Sequence, residues 1–135
     1  MALDYYLEID EYGTQDRLNK LRSFIRNEFS FPDDEKTKIM LGNGLGINFF
    51  VDDDNDNESV SSITPVLTIS FRVDKMQLRE QGYKLLRQVV QKVLDNVETN
   101  LRLTDEYNDD IFLKRESGKT SKMHLDHDIW QVGEG

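Results

Sequence analysis

Strict alternation between apolar and polar residues is the feature of this sequence that most constrains its fold. Two segments show it, residues 3–10 and residues 66–73. Successive side chains of a strand point to opposite faces of a sheet, so a period of two predicts a strand with one buried face. In the second segment the buried row is expected to be Leu67, Ile69, Phe71 and Val73. Such strands predict a sheet that is covered on one side and open on the other.

Two other segments carry apolar residues at helical spacing. A first helix is predicted near residues 14–29, and a longer one near residues 75–98. Asp74 and Gln77 resemble a capping box that opens the second helix. Gly82 lies near its apolar stripe, where the missing side chain permits close packing on the sheet. Because each helix has one apolar stripe, both are expected to cover the same face of the sheet.

The remaining strands are predicted from short apolar runs and turn residues. Asn43-Gly44, between runs at residues 36–41 and 45–51, is a strong hairpin signal. Three short strands are expected after the second helix, the last two around residues 111–113 and 123–125. The predicted order is β-α-β-β-β-α-β-β-β, an α+β fold with a mainly antiparallel sheet and two helices on one face. This order divides into two units of strand, helix and hairpin, without any residue-level repeat.

The length and composition favour a single cytoplasmic domain. A chain of 135 residues fits one hydrophobic core, so residues 1–135 are expected to form one domain. Within it, the acidic segment near residues 52–63 is expected to be a mobile loop, and the last three residues to be frayed. The chain has no cysteine, no export signal and no apolar stretch long enough to span a membrane. These features favour a cytoplasmic protein without membrane contact.

The charge of the chain favours some partners over others. Asp and Glu total 26 against 17 Lys and Arg, a formal charge of -9. Such an excess repels nucleic acid and anionic lipid at long range, and it attracts a basic protein. An acidic surface also keeps a domain soluble without any partner, and the composition alone leaves that alternative open.

The residues that carry chemistry in other proteins do not form a recognisable site here. No Gly-x-Ser-x-Gly motif is present, and the glycines around residues 42–46 belong to a hairpin turn and not to a phosphate loop. His124 and His127 have no further His or Cys to complete a zinc site. We therefore expect no enzymatic activity, and we predict neither catalytic residues nor a cofactor or metal.

The acidic segment resembles the beginning of a calcium loop. Asp52, Asp54 and Asp56 have the spacing of the ligands at positions 1, 3 and 5 of such a loop. However, Asn57 stands where the loop glycine belongs, and Ile63 stands where the bidentate acid belongs. A solvated acidic loop is therefore favoured over a calcium site.

The open face of the predicted sheet is the better candidate for binding. Alternation places Tyr6, Met40, Phe50 and Phe112 on it, with polar neighbours that include Lys38, Thr68, Arg72 and Lys114. Aromatic residues framed by polar groups are typical of interfaces, and Tyr6, Phe50 and Arg72 are the candidate contacts. In the alternative interpretation, Trp130 folds over this face and completes a second small core. A second candidate region is the acidic loop, through Asp52, Asp53, Asp54, Asp56 and Glu58.

Three short motifs resemble a known family. They are the opening residues 1–9, the segment at residues 70–75 that leads into the long helix, and Asp128-Ile129-Trp130 near the end. Together they are similar to the SitI3-type family of bacterial immunity proteins, small cytosolic proteins thought to protect a cell from a toxin delivered by its neighbours. The resemblance implies that the chain neutralises a cognate toxin by direct stoichiometric binding. The residues themselves also fit an intracellular binding or scaffold domain of unrelated role.

Overall fold

The protein is described from a computed structural model of the chain. The structure describes residues 2–31, 40–42, 44–51, 66–74, 77–105 and 110–132, with the side chains of residues 2 and 40–42 left out. Within these ranges the elements are β1 Ala2–Asp10, α1 Gln15–Phe29, β2 Met40–Gly42, β3 Leu45–Val51, β4 Val66–Asp74, α2 Arg79–Asn96, β5 Leu101–Asp105, β6 Ile111–Glu116, β7 Lys119–Lys122 and α3 Asp128–Gln131.

The described strands form one antiparallel sheet in the order β2-β3-β4-β1-β5-β6-β7. The α+β class and the predicted order of strands and helices are confirmed, and the four-residue α3 is added at the end. The two units of strand, helix and hairpin do not form separate sheets. β4, which begins the second unit, lies between β1 and β3 of the first.

One face of the sheet forms the hydrophobic core. Its central rows come from alternate residues of neighbouring strands, such as Leu7 on β1 and Ile69 on β4, which pair directly and are fully buried. Helix α1 contacts β3, and α2 contacts both β3 and β4. Both helices therefore cover the same face, as their single apolar stripes predict.

Helix α2 begins at Arg79, four residues later than predicted. The proposed capping box is wrong, because Asp74 is the last residue of β4 and the actual N-cap, Leu78, makes no side-chain hydrogen bond. Asp74 is held in the sheet by its pairing with Ala2 and by an N–H that donates to the carbonyl of Gly44 at 2.9 Å. Because these long-range contacts keep Asp74 in β4, α2 begins later than predicted.

Two glycines bring α2 against the turn that joins β2 and β3. A Cβ atom built on Gly82 would lie 2.3 Å from the carbonyl oxygen of Gly44 and 3.1 Å from Cγ1 of Val73. Gly44 itself has a φ of +77°, a conformation that favours glycine. The close packing predicted at Gly82 is present, and its neighbour is the hairpin backbone as well as the sheet.

The strands at the end of the chain differ from the prediction at two places. β7 covers Lys119–Lys122 and ends before the predicted 123–125 segment, in which Leu125 is exposed. Phe112, expected on the open face, is fully buried because the pairing of β5 with β6 shifts register there. The shift makes Phe112 the extra residue of a bulge, and the simple alternation of sides fails at such a residue.

Residues 128–132 pack beside α2, on the helical side of the sheet. Trp130 is 8% exposed, and its indole N–H donates to the carbonyl of Met123 at 2.8 Å. The guanidinium of Arg87 in α2 donates to the carbonyl of Ile129 at 2.9 Å. The alternative in which Trp130 covers the open face is therefore wrong, and none of the described residues packs over that face as a second layer.

Candidate protein-binding face

The uncovered side of the sheet is formed by the residues that alternate with the core rows. We call it the open face, and it comprises Asp4, Tyr6, Glu8, Asn48, Phe50, Thr68, Ser70, Arg72, Arg102, Thr104 and Lys114. Three of these, Tyr6, Phe50 and Arg72, are the contacts predicted from the sequence. They lie on the adjacent strands β1, β3 and β4, so the structure brings them onto one surface.

Phe50 begins a row of side chains that crosses five strands. Its partner in β4 is Thr68, which pairs with Glu8 of β1. Glu8 pairs with Arg102 of β5, and Arg102 with Lys114 of β6. Phe50 is 41% exposed, and of the large hydrophobic side chains exposed in the described ranges it is the one that lies within a strand. The row thus has an aromatic end and a charged end, and this pattern suits an interface.

Arg72 is exposed but held in a fixed orientation. Its Nε donates to Oδ1 of Asp4 at 3.0 Å and its Nη2 to Oδ2 at 3.3 Å, a bidentate pair. The Arg72 side chain is 69% exposed, whereas that of Asp4 is 14% exposed. On the other flank, the residue paired with Arg72 is Gly46, which has no side chain to cover it. A partner can therefore approach a guanidinium that is already oriented.

Other charges on the open face are also paired. Arg102 contacts Glu8 at 2.9 Å, and Lys114 contacts Glu116 at the end of β6 at 2.8 Å. These partly exposed pairs contribute little to stability, but they keep the face close to electrical balance. Tyr6 lies between Ser70 and Thr104 and is partly buried, so it offers less area than Phe50.

The remaining predicted contacts lie outside the described residues. They are Asp52, Asp53, Asp54, Asp56 and Glu58. Of the other residues predicted on the open face, Lys38 also lies outside the described residues, and the side chain of Met40 is not described. The sequence interpretation missed Glu8 and Arg102, which join the two ends of the row. The sequence did contain a signal for Arg102, because it lies between Leu101 and Leu103. Both leucines are buried, and alternation along a strand then places Arg102 on the open face.

The histidines near the end of the chain have structural contacts. Nδ1 of His127 accepts from the N–H of Ile129 at 3.0 Å and so caps α3, while its ring lies 4.6 Å from that of Phe112. His124 packs edge to face against the same ring, at 5.6 Å between centroids. In the described ranges, no three His, Cys, Asp or Glu residues are grouped as metal ligands.

Charge is unevenly divided along the chain. The described ranges contain 14 of the 17 Lys and Arg residues and 15 of the 26 Asp and Glu residues. The positive and negative charges of these ranges are therefore almost equal in number. Most of the net charge belongs to the rest of the sequence, and residues 52–58 alone hold five carboxylates and no cation. None of the helices in the described part has the length and apolar character needed to span a membrane.

Comparison with known proteins gives one match. A family model described as SitI3-like matches residues 3–133, nearly the whole chain. No curated protein and no solved structure matches significantly. The matched range contains β4 with Arg72 and α3 with Trp130, and all but the first two residues of the opening motif. The chain therefore belongs to the SitI3-like family.

Proposed function

We propose that this protein is a cytoplasmic immunity protein that neutralises a cognate toxin by direct stoichiometric binding, without catalysis. Membership of the SitI3-like family supports the immunity role. The observation that carries the binding mode is the exposure of Phe50 and of an oriented Arg72 on the same uncovered face of the sheet. Tyr6, Phe50 and Arg72 are the proposed contacts of this face.

A sheet face is suited to this task because its backbone is already ordered. Phe50 and Arg72 are held by neighbouring strands that pair residue by residue, so little chain entropy is lost when a partner binds. Aromatic and arginine side chains also supply most of the energy of typical interfaces. A toxin that presents an apolar pocket for Phe50 and an acceptor for Arg72 would fit this surface.

The acidic segment is proposed as a second partner-binding region, which acts on the approaching toxin through its charge. Asp52, Asp53, Asp54, Asp56 and Glu58 follow directly after β3, the strand that carries Phe50. Their charge favours a basic toxin and attracts it before contact is made.

The experiment is to coexpress the chain with the toxin encoded next to its gene and to measure binding by calorimetry. We expect protection of the cells and a one-to-one complex. Phe50→Ala and Arg72→Ala should each weaken binding of the toxin by at least about 1 kcal/mol, which is roughly fivefold in affinity. Neither change should alter the melting temperature of the free protein appreciably. Leu125→Ala is the matched control, because Leu125 is 58% exposed and its carbonyl accepts from the side chain of Gln131 in α3, on the helical side of the sheet.

Each part of the proposal can fail separately. A toxin that neither binds the unaltered chain nor is neutralised by it would exclude the immunity function. Unchanged affinity in both Phe50→Ala and Arg72→Ala would move the binding site away from the open face. A large drop in the melting temperature of Phe50→Ala would identify Phe50 as a structural residue.

A further inference from the structure

Residues 123–132 fold back against α2 on the helical side of the sheet. We call this segment, which includes α3, the terminal strap, and we call the sheet with α1 and α2 the body. The whole strap lies within the described residues, and only Ile129 and Trp130 of it are buried. The terminal strap therefore has little apolar surface to hold it against the body, and its polar contacts matter for its attachment.

The polar contacts between the terminal strap and α2 are few. The guanidinium of Arg87 donates to the carbonyl of Ile129 at 2.9 Å. Arg79 forms an ion pair with Asp128, and both side chains are more than a third exposed. A pair so accessible to water contributes little to stability. The terminal strap can therefore open at a lower cost in free energy than the sheet.

His127 holds the fold of the terminal strap and its contact with the sheet at the same time. Its Nδ1 accepts from the N–H of Ile129 at 3.0 Å, and its backbone carbonyl accepts from the N–H of Trp130 at 2.9 Å. Its ring centroid lies 4.6 Å from that of Phe112 and 6.4 Å from that of Tyr5. Turning this ring would disturb both the first turn of α3 and the packing of the strap on the sheet.

The hydrogen bond from Ile129 requires a neutral imidazole. An acceptor nitrogen needs a free lone pair, and in a protonated histidine both ring nitrogens are donors. The proton on Nδ1 would then face the N–H of Ile129, so that two donors oppose each other. The ring must turn away and the cap of α3 is lost. Histidine is the ordinary side chain that changes charge between about pH 5 and 8.

The described elements of the body bring several titratable or charged groups around the ring of His127 and its contacts. They are Tyr5 on β1, Asp105 on β5, Lys122 on β7, and Arg79 and Tyr83 on α2. The two tyrosines stay uncharged in this pH range, because burial raises the pKa of both. The two cations oppose a further positive charge, and Asp105 is separated from the ring by Tyr5, its partner in the sheet.

The terminal strap itself contributes His124, Asp126 and Asp128. His124 packs on the same phenylalanine ring as His127, at 5.6 Å between centroids. The two carboxylates flank His127 in the chain and attract a protonated imidazole. Because they belong to the strap, this attraction does not hold the strap to the body. Asp128 is also the partner of Arg79, so its recruitment by His127 weakens the ion pair with α2.

We infer that His127 is a pH-sensitive switch that holds the terminal strap closed when it is neutral and releases the strap when it is protonated. Release opens the first turn of α3 and uncovers Phe112 and the adjacent flank of α2, while the strand pairing of the sheet is unchanged. The inference does not rest on the proposed immunity function, and its test needs no toxin.

The test is a titration of the isotope-labelled full chain from pH 8 to pH 5, followed by NMR. Trp130 is the one tryptophan of the sequence, and its indole N–H donates to the carbonyl of Met123, so it reports on the terminal strap directly. We expect the imidazole of His127, the indole of Trp130 and the amide of Ile129 to titrate with one midpoint. Exchange of the Gln131 amide, which donates to the carbonyl of His127, should become about fivefold faster in acid, as expected for loss of a helix cap.

His127→Asn is the decisive variant, because asparagine caps a helix well and does not titrate. Its terminal strap should stay closed throughout, and the titration of the Trp130 indole should disappear. His124→Asn is the matched control, since it removes the other histidine and asparagine tolerates the φ of +54° at that position. It should keep the titration of the indole.

The unaltered chain can overturn the inference by itself, whether or not the variants fold. An indole signal of Trp130 that stays constant while His127 titrates would exclude the switch. Loss of the amide signal of Ile69, in the centre of the sheet, over the same pH range would show unfolding of the body and not release of the terminal strap. A titration that persists in His127→Asn, or that is lost in His124→Asn, would assign the change to another group.

Discussion

At the scale of single residues, a pair of buried tyrosines joins the sheet to α2. The hydroxyls of Tyr5 and Tyr83 lie 2.6 Å apart, and their rings meet edge to face at 5.9 Å between centroids. One hydroxyl donates to the other, so both oxygens have a hydrogen-bond partner among described core residues that are otherwise apolar. Strand alternation predicts that Tyr5 is buried, but not that its partner lies 78 residues away, because this depends on how α2 rotates against the sheet.

Removing both hydroxyls of the pair should cost less stability than the sum of the two single removals. Tyr83→Phe leaves the hydroxyl of Tyr5 buried without a partner, at an expected cost of about 1–3 kcal/mol in the free energy of unfolding. Tyr5→Phe combined with Tyr83→Phe removes both polar groups, so its cost should fall below the sum of the single changes. Urea unfolding of the four proteins measures this, and simple additivity would contradict the proposed coupling.

The same variants should differ in alkaline solution. Burial, reinforced by the hydrogen bond with Tyr83, raises the pKa of Tyr5 well above the ordinary value of 10.0, and burial also raises the pKa of Tyr83. In the unfolded chain both tyrosines ionise near pH 10, so their contribution is complete below that pH and is lost as the pH rises above it. The double phenylalanine variant should lose less stability between pH 9 and 11.

At the scale of elements, local sequence predicts which segments form but not always where they end. α1 begins as predicted, because Thr14 accepts from the N–H of Arg17 through its own side chain, a contact within one turn. The predicted start of α2 was wrong because the end of β4 depends on the pairing of Asp74 with Ala2, at the beginning of the chain. Phe112 was misplaced because a bulge depends on the partner strand.

The same distinction applies to the candidate sites. Tyr6, Phe50 and Arg72 could be placed on one face from alternation alone, because a strand has only two sides. The row from Phe50 to Lys114 could not be predicted, because it depends on which strands are neighbours in the sheet. Only the pairing of β5 with β1 and with β6 brings Glu8, Arg102 and Lys114 together.

The contact between α2 and the hairpin turn can be tested with Gly82→Ala. Alanine favours helices over glycine by about 1 kcal/mol, so an isolated helix would gain stability. Here the added Cβ meets the backbone of Gly44 at 2.3 Å, and α2 must shift away. We expect a net loss of about 1–3 kcal/mol in the free energy of unfolding.

Gln81→Ala is the matched control, because Gln81 is the exposed neighbour of Gly82 and should tolerate the change. Thermal and urea unfolding of both variants provide the measurement. A Gly82→Ala protein as stable as the unaltered chain would show that the helix does not approach the turn this closely.

At the scale of the whole molecule, short-range and long-range recognition involve different parts of the chain. The described residues are nearly balanced in charge, and their proposed contacts include an exposed aromatic side chain and an oriented guanidinium. Residues 52–58 carry five carboxylates without a compensating cation. Affinity should therefore depend mainly on the body, and the rate of encounter mainly on this segment.

Neutralising the acidic segment should accordingly slow association and leave dissociation nearly unchanged. The variant replaces Asp52, Asp53, Asp54 and Asp56 with asparagine and Glu58 with glutamine, which keeps the side-chain shapes. Against a basic toxin at low salt we expect association about 3–10-fold slower, with a flatter dependence on ionic strength.

Phe50→Ala is the contrasting variant, because loss of an anchor should raise the dissociation rate. Stopped-flow mixing at two salt concentrations separates these effects. Faster dissociation of the neutralised variant, with unchanged association, would show that the segment acts by direct contact and not by steering.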